Sequence, residues 1–205
     1  MPKQSHLPIL GEQIPRRASS RGRSFCKKMT LLQGWRVLGD IPNIPKAVVI
    51  GAPHTSPMDG IYGVELALAL GLAVSIMVKE ELYHLPFRTM LDWVNVVPVH
   101  RASATGLVKQ MCDTFNQRDK FWLFIAPEGT RKSAPSWKSG FYRIAVAAQV
   151  PIVLVAFDYD QKAVIFYGVF EPSGDFDADL PKILAYYRGL KGGNPNNLSL
   201  PLKNL

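Results

Sequence analysis

Six short runs of the chain are almost wholly apolar: AVVIGAP (47–53), AVSIMV (73–78), VVPV (96–99), FWLFIA (121–126), PIVLVAFD (151–158) and AVIFYGVF (163–170). Successive side chains of a strand point to opposite faces, so a strand apolar throughout needs cover on both faces. The segments between these runs carry helical spacing: 58–71, stopped by Gly71; 81–94, broken at Pro86; 103–118, with Leu107, Val108, Met111 and Phe115 inward; 140–149; and 178–190. Strands alternating with helices predict a single α/β domain with a largely parallel or mixed sheet flanked by helices.

The 205 residues suffice for one domain with a sizeable core, and 47% hydrophobic against 20% charged residues excludes disorder of the whole chain. Net charge is +8, but residues 1–46 hold nine Lys/Arg against two Asp/Glu, so the excess precedes the first buried strand. It is read as a basic N-terminal arm, loosely ordered over 1–24. Such an arm suits an anionic surface: acidic lipid headgroups, nucleic acid or an acidic carrier protein. Within it, Phe25, Met29, Leu32 and Trp35 recur at helical spacing with Lys27 and Lys28 off the stripe. That segment either packs on the domain or lies in a membrane interface. Two cysteines, Cys26 and Cys112, exclude a disulfide framework and a multi-cysteine zinc site. No secretory signal is expected. The apolar stretch 61–78 is long enough to span a bilayer, but Gly71 divides it into a helix and a strand and charges press on both ends.

Candidate chemistry sits at the carboxyl ends of the strands, where α/β sheets gather ligands. In PHTSPMDG (53–60), a tight turn can fold Asp59 back onto one ring nitrogen of His54, leaving the other to take a proton. The same residues also suit a plain helix cap. No nucleophile accompanies the pair: a G-x-S-x-G elbow is missing, so a catalytic reading needs a hydroxyl brought by the substrate. After the fourth run, Glu128, Gly129, Thr130 and Arg131 stand together with Lys138 nearby. A glycine lets backbone approach a ligand, and guanidinium and ammonium groups grip phosphate. A solvated turn with a surface ion pair is the alternative. Arg101 ends the third run as a third strand-end cation. Trp93, Trp122 and Trp137 are read as core or as walls of an apolar tunnel.

His54-x4-Asp59 and Pro127-Glu128-Gly129-Thr130-Arg131 resemble the two signature blocks of the glycerolipid acyltransferases, which act on glycerol-3-phosphate and lysophosphatidate. VKEELYHLPF (78–87), VVPVHR (96–101) and VPIVLVAF (150–157) resemble further blocks in the same order, from about Trp35 to Phe170. Pro53 stands where that family usually has Asn, and Leu154 where it has a second proline. The resemblance implies an O-acyltransferase of phospholipid biosynthesis, of 1-acylglycerol-3-phosphate type. His54 would be the base and Asp59 its orienter. Arg101, Glu128, Gly129, Thr130, Arg131 and Lys138 would hold the acceptor, with Glu128 orienting the loop or accepting from a hydroxyl. The donor would be acyl-CoA or acyl-carrier protein, with no cofactor and no metal. The expected partners are a thioester, a lysophospholipid and an anionic membrane surface; nucleic acid is not expected. The expected location is cytoplasmic, peripherally on the membrane face. The expected division is 1–34, basic arm with its amphipathic segment; 35–190, acyltransferase domain; 191–205, irregular tail. The same chemistry on glycerol-3-phosphate, another lysophospholipid or a lyso-aminolipid stays open.

Overall fold

The computed structural model describes residues 7–17, 22–83, 88–99 and 103–205. Seven strands form one sheet: β1 (Arg36–Leu38), β2 (Lys46–Ala52), β3 (Val74–Lys79), β4 (Val96–Val99), β5 (Phe121–Ile125), β6 (Ile152–Asp158) and β7 (Ala163–Phe170). Their spatial order is β1-β7-β6-β2-β5-β3-β4. Every neighbouring pair is parallel except β6 and β7, which form an antiparallel hairpin, so the sheet is mixed. The helices are α1 (Arg23–Leu32), α2 (Pro57–Leu70), α3 (Arg88–Trp93), α4 (Ala104–Gln117), α5 (Gly140–Ala147), α6 (Phe176–Ala185) and α7 (Leu200–Lys203). The single α/β domain with helices on both faces is the architecture the alternating pattern predicts.

The period-two alternation of the central strands divides the core. Val48, Ile50 and Ala52 of β2, with Leu123, Ile152 and Leu154, meet Met111 and Phe115 of α4, Phe141 and Ile144 of α5 and Ile183 of α6. Ala47 and Val49, with Trp122, Val153, Val155 and Phe157, meet Leu66 and Leu70 of α2. The Trp122 indole N–H finds the Ile44 carbonyl at 3.1 Å, which satisfies its one polar atom in the core.

Beyond its exposed first turns, α2 is apolar on more than one face because it is covered on two sides. The sheet takes one side, and α1 takes the other, where Cys26 meets Leu68 and Ala69. Thr30 and Gln33 hydrogen-bond the Glu65 carboxylate, and Arg23 bonds the carbonyls of Ala69 and Leu70 at the α2 terminus. Gly71 ends α2 at φ +76°, a conformation that glycine adopts without steric cost. Among the described residues no helix is long and apolar enough to cross a membrane.

Two expectations are corrected, for the arm and for the tail, and the amphipathic segment of the arm is placed. The loose arm is tied down over residues 7–17: Leu10 and Ile14 are core residues, and Arg16 forms an isolated antiparallel bridge with Leu72, just ahead of β3. The apolar stripe of the amphipathic segment is split: Trp35 is a core residue and Met29 is partly buried, but the stripe within α1 does not lead the packing. Cys26 and Thr30 are the buried positions of α1, while Phe25 is 68% and Leu32 82% exposed. The tail is not irregular: residues 195–197 form a 3-10 turn, α7 follows, and Leu202 and Leu205 pack on the core. Leucines spaced through a Gly/Asn/Pro-rich stretch were too sparse for a periodicity reading.

Candidate active site

The register of the sheet builds the site. β2 is central, with β5 on one side (Ile50 beside Ile125) and β6 on the other (Ala52 beside Ala156). All three run parallel, so the loops leaving their carboxyl ends converge. The β2 loop carries His54, the β5 loop Glu128 and the β6 end Tyr159.

β2 leaves through a cis Ala52–Pro53 peptide and enters α2 through a capping box, with Ser56 as N-cap and Pro57 in the first turn. Asp59 Oδ2 accepts from the amides of Thr55 (2.7 Å) and Ser56 (2.8 Å), and it lies 3.2 Å from His54 Nδ1. Asp59 Oδ1 accepts from the Tyr159 hydroxyl. Burial alone would raise the Asp59 carboxyl, but the hydrogen bonds from His54, Tyr159, Ser56 and Thr55 outweigh it and hold the group below its ordinary value. An ionised carboxylate only accepts, so Nδ1 is the protonated ring nitrogen and Nε2 carries the lone pair. The Tyr159 ring is fixed edge-on against Trp35 and Tyr62.

Glu128 is buried behind this loop. Its Oε2 accepts the His54 backbone N–H at 2.7 Å and its Oε1 the Ser199 hydroxyl at 3.4 Å. Burial pushes its carboxyl up to about 7, against the bond from the His54 amide, the charge of His54 and the bond from Ser199. Of the two readings open for Glu128, this geometry is that of a residue orienting the loop, since both oxygens already have donors. Gly129 turns at φ +65°, and a Cβ there would come within 2.9 Å of the Lys138 side chain. The turn therefore brings Lys138 against the loop backbone.

Two concavities meet at His54. On the α2 side lies an apolar cavity of about 260 Å³, walled by Leu66, Leu70, Trp122, Phe124 and Phe157, with Gly60 and Gly63 leaving room along the helix. On the α4–α5 side lies an open groove of about 800 Å³ that gathers Gly129, Thr130, Arg131 and Lys138. The structure thus brings His54, Asp59 and the Glu128–Arg131 loop with Lys138 into one place. Arg101 lies outside the described residues. Of the tryptophans, Trp122 walls the cavity, Trp137 is core, and Trp93 is partly exposed with the Arg17 guanidinium over its ring.

Tyr159, Thr55 and Ser199 were not singled out in the sequence. Tyr159 had a signal, standing just past the end of an apolar run. Ser199 had none, because its place depends on a chain reversal of about 70 residues from Glu128.

A sequence profile of the acyltransferase family matches residues 37–158. No curated protein matches the sequence. Among solved structures, the crystal structure of the 1-acyl-sn-glycerophosphate acyltransferase PlsC from Thermotoga maritima superposes with a TM-score of 0.52 at 19% identity, covering 78% of this chain and 72% of that one. At that identity the likeness is one of fold. The family match spans more than half of the chain, from β1 through β6, and takes in both His54-x4-Asp59 and the Glu128–Arg131 loop: the chain belongs to the acyltransferase family.

Proposed function

We propose that the protein transfers a fatty acyl group from a thioester, acyl-CoA or acyl-carrier protein, to the free hydroxyl of 1-acylglycerol-3-phosphate, forming phosphatidate. The observation that carries this reading is the position of His54, which lines both an apolar cavity and a groove bearing Arg131 and Lys138. An apolar cavity suits the acyl chain of the donor, and the cations suit the acceptor phosphate. The two reacting groups would meet at the imidazole.

In this scheme His54 Nε2 takes the proton of the acceptor hydroxyl as its oxygen attacks the thioester carbonyl. Asp59 remains ionised beside Nδ1 and stabilises the imidazolium that forms. The tetrahedral intermediate collapses, the carbon–sulfur bond breaks, and the thiolate takes the proton back from Nε2. The new ester and the free thiol leave with the imidazole neutral again. Atoms and protons balance without a cofactor or a metal. Exposed Phe25, Leu32 and Ile9, with Lys27 and Lys28 beside them in sequence, support peripheral attachment to an anionic membrane face, where a lysophospholipid resides.

The test pairs one labelled thioester with a panel of acceptors: 1-acylglycerol-3-phosphate, glycerol-3-phosphate, a phosphate-free lyso-aminolipid and a zwitterionic lysophospholipid. The first should give the highest kcat/KM, and a better rate on another acceptor replaces it. His54→Ala should lower transfer by about a thousandfold or more while the protein melts as before. A His54→Ala protein with full activity overturns the reading.

A further inference from the structure

The segment after α6 touches neither cavity, yet it holds the loop that carries the base. At Gly192 the backbone lies flush against that loop, since a Cβ there would come within 2.5 Å of Thr55 Oγ1. The Asn194 amide donates to Thr55 Oγ1 at 3.0 Å, and Asn197 Nδ2 donates to the Thr55 carbonyl at 3.0 Å. Thr55 also donates its own amide to Asp59, so its amide, carbonyl and hydroxyl are all engaged. Next, Ser199 is fully buried at the head of α7. Its hydroxyl accepts from the Trp137 indole at 3.2 Å and donates to Glu128, whose other oxygen takes the His54 amide. The segment cannot drift, because Leu198, Leu202 and Leu205 pack into the core beneath it and the Leu200 amide bonds the Ala134 carbonyl. None of residues 192–199 lines the apolar cavity or the groove.

We propose that residues 192–199 are a positioning brace for the base: Asn197 through the Thr55 carbonyl, and Ser199 through Glu128, hold the His54 backbone where the two concavities meet. The proposal rests on the acyl-transfer reading and extends it to residues 140 positions away from the base. Because the brace contacts no substrate site, it acts on the chemical step and not on affinity. A reacting group displaced by a fraction of an ångström loses rate without losing binding. Ser199 has a second effect through charge. Its hydrogen bond favours ionised Glu128, the form that binds the His54 amide more strongly and faces the imidazolium.

The experiment compares Asn197→Ala and Ser199→Ala with the wild type in kcat, in KM for both substrates, and in the pH profile of kcat. Each variant should lose about tenfold in kcat with KM within about twofold. In Ser199→Ala the acid limb should also move to higher pH, since Glu128 has lost a donor; in Asn197→Ala it should stay in place. Folded variants with wild-type kcat and an unmoved profile overturn the brace, as do losses confined to KM. If Ser199→Ala does not fold, the half-buried Asn197 decides. A wild-type protein inactive with every acceptor overturns the acyl-transfer reading instead. The brace is then read from hydrogen exchange: the His54 and Thr55 amides should exchange at least about tenfold faster in Asn197→Ala, and unchanged protection refutes it.

Discussion

Asp59 shows how two readings of one residue become the same fact. As the third residue of α2 it closes a capping box, an arrangement worth about 1 kcal/mol to a helix. With the same Oδ2 it orients His54. The cap is thus what makes the imidazole rigid, and the helix N-terminus adds its own preference for a negative charge there. Glu128, a carboxylate on the far side of the same loop, has the opposite linkage. The unfolded chain releases its proton near the ordinary value of 4.5, and the folded chain only near 7. Between these limits the folded state binds the extra proton, so the contribution of Glu128 to stability falls as pH rises from about 4.5 to about 7, by up to about 3 kcal/mol. Glu128→Gln keeps an acceptor for the His54 amide and removes this slope. In denaturant melts it should gain stability relative to wild type at about pH 8 compared with about pH 5; an equal difference at both values contradicts the assignment. His54, Asp59 and the Glu128–Arg131 loop were legible in the sequence because their chemistry is local and their spacing fixed. Tyr159, Thr55 and Ser199 acquire meaning only when strands far apart in sequence lie side by side.

At the scale of elements, the pairing of α1 with α2 explains most of what the sequence left open. The C-terminal half of α2 reads like part of a membrane span because it has no solvent face: the sheet covers one side and α1 the other, while exposure is confined to the first turns, at Met58 and Ile61. For α1 the sequence left two outcomes open, packing of its aromatic and aliphatic stripe on the domain or exposure of that stripe at a membrane interface. Its buried positions are Cys26 and Thr30, and hydrogen bonds from Thr30 and Gln33 to Glu65 hold that face on α2. Phe25 and Leu32 are left outward, on a helix with Lys27 and Lys28. Phe25→Glu combined with Leu32→Glu should weaken co-sedimentation with anionic vesicles by about tenfold or more, while transfer to a water-soluble acceptor stays unchanged. Equal vesicle binding removes α1 from the attachment surface. β1 and α7 escaped the sequence reading for a simpler reason: at three and four residues they hold little more than one repeat of their period, and neither is an unbroken apolar run.

Across the whole molecule, the central sheet separates two cores, and the site lies where their upper ends open to each other at His54. The order of the sequence blocks pointed to these loops, but not to two cavities of different polarity meeting there. Cavities are made by missing atoms, such as the side chains that Gly60 and Gly63 do not have. A Cβ at Gly63 would stand 3.4 Å from the Phe157 ring, so Gly63→Leu should fold while filling the apolar side. Transfer from long-chain thioesters should fall by about tenfold against short-chain ones, as expected when a pocket loses volume; an unchanged chain-length profile assigns the acyl chain elsewhere. The hydrogen bonds that assemble the site span 74 residues from His54 to Glu128, 100 from Asp59 to Tyr159 and 142 from Thr55 to Asn197. Closing loops of that length comes late in folding. The pairings of β2 with β5 and β6 close loops of similar length, so a refolding chain would regain its helices and the local β3–β4 and β6–β7 pairings before it regains its central sheet and, with it, the site. The site and the centre of the sheet are then completed together, and a newly made chain stays chemically silent until its distant segments have met.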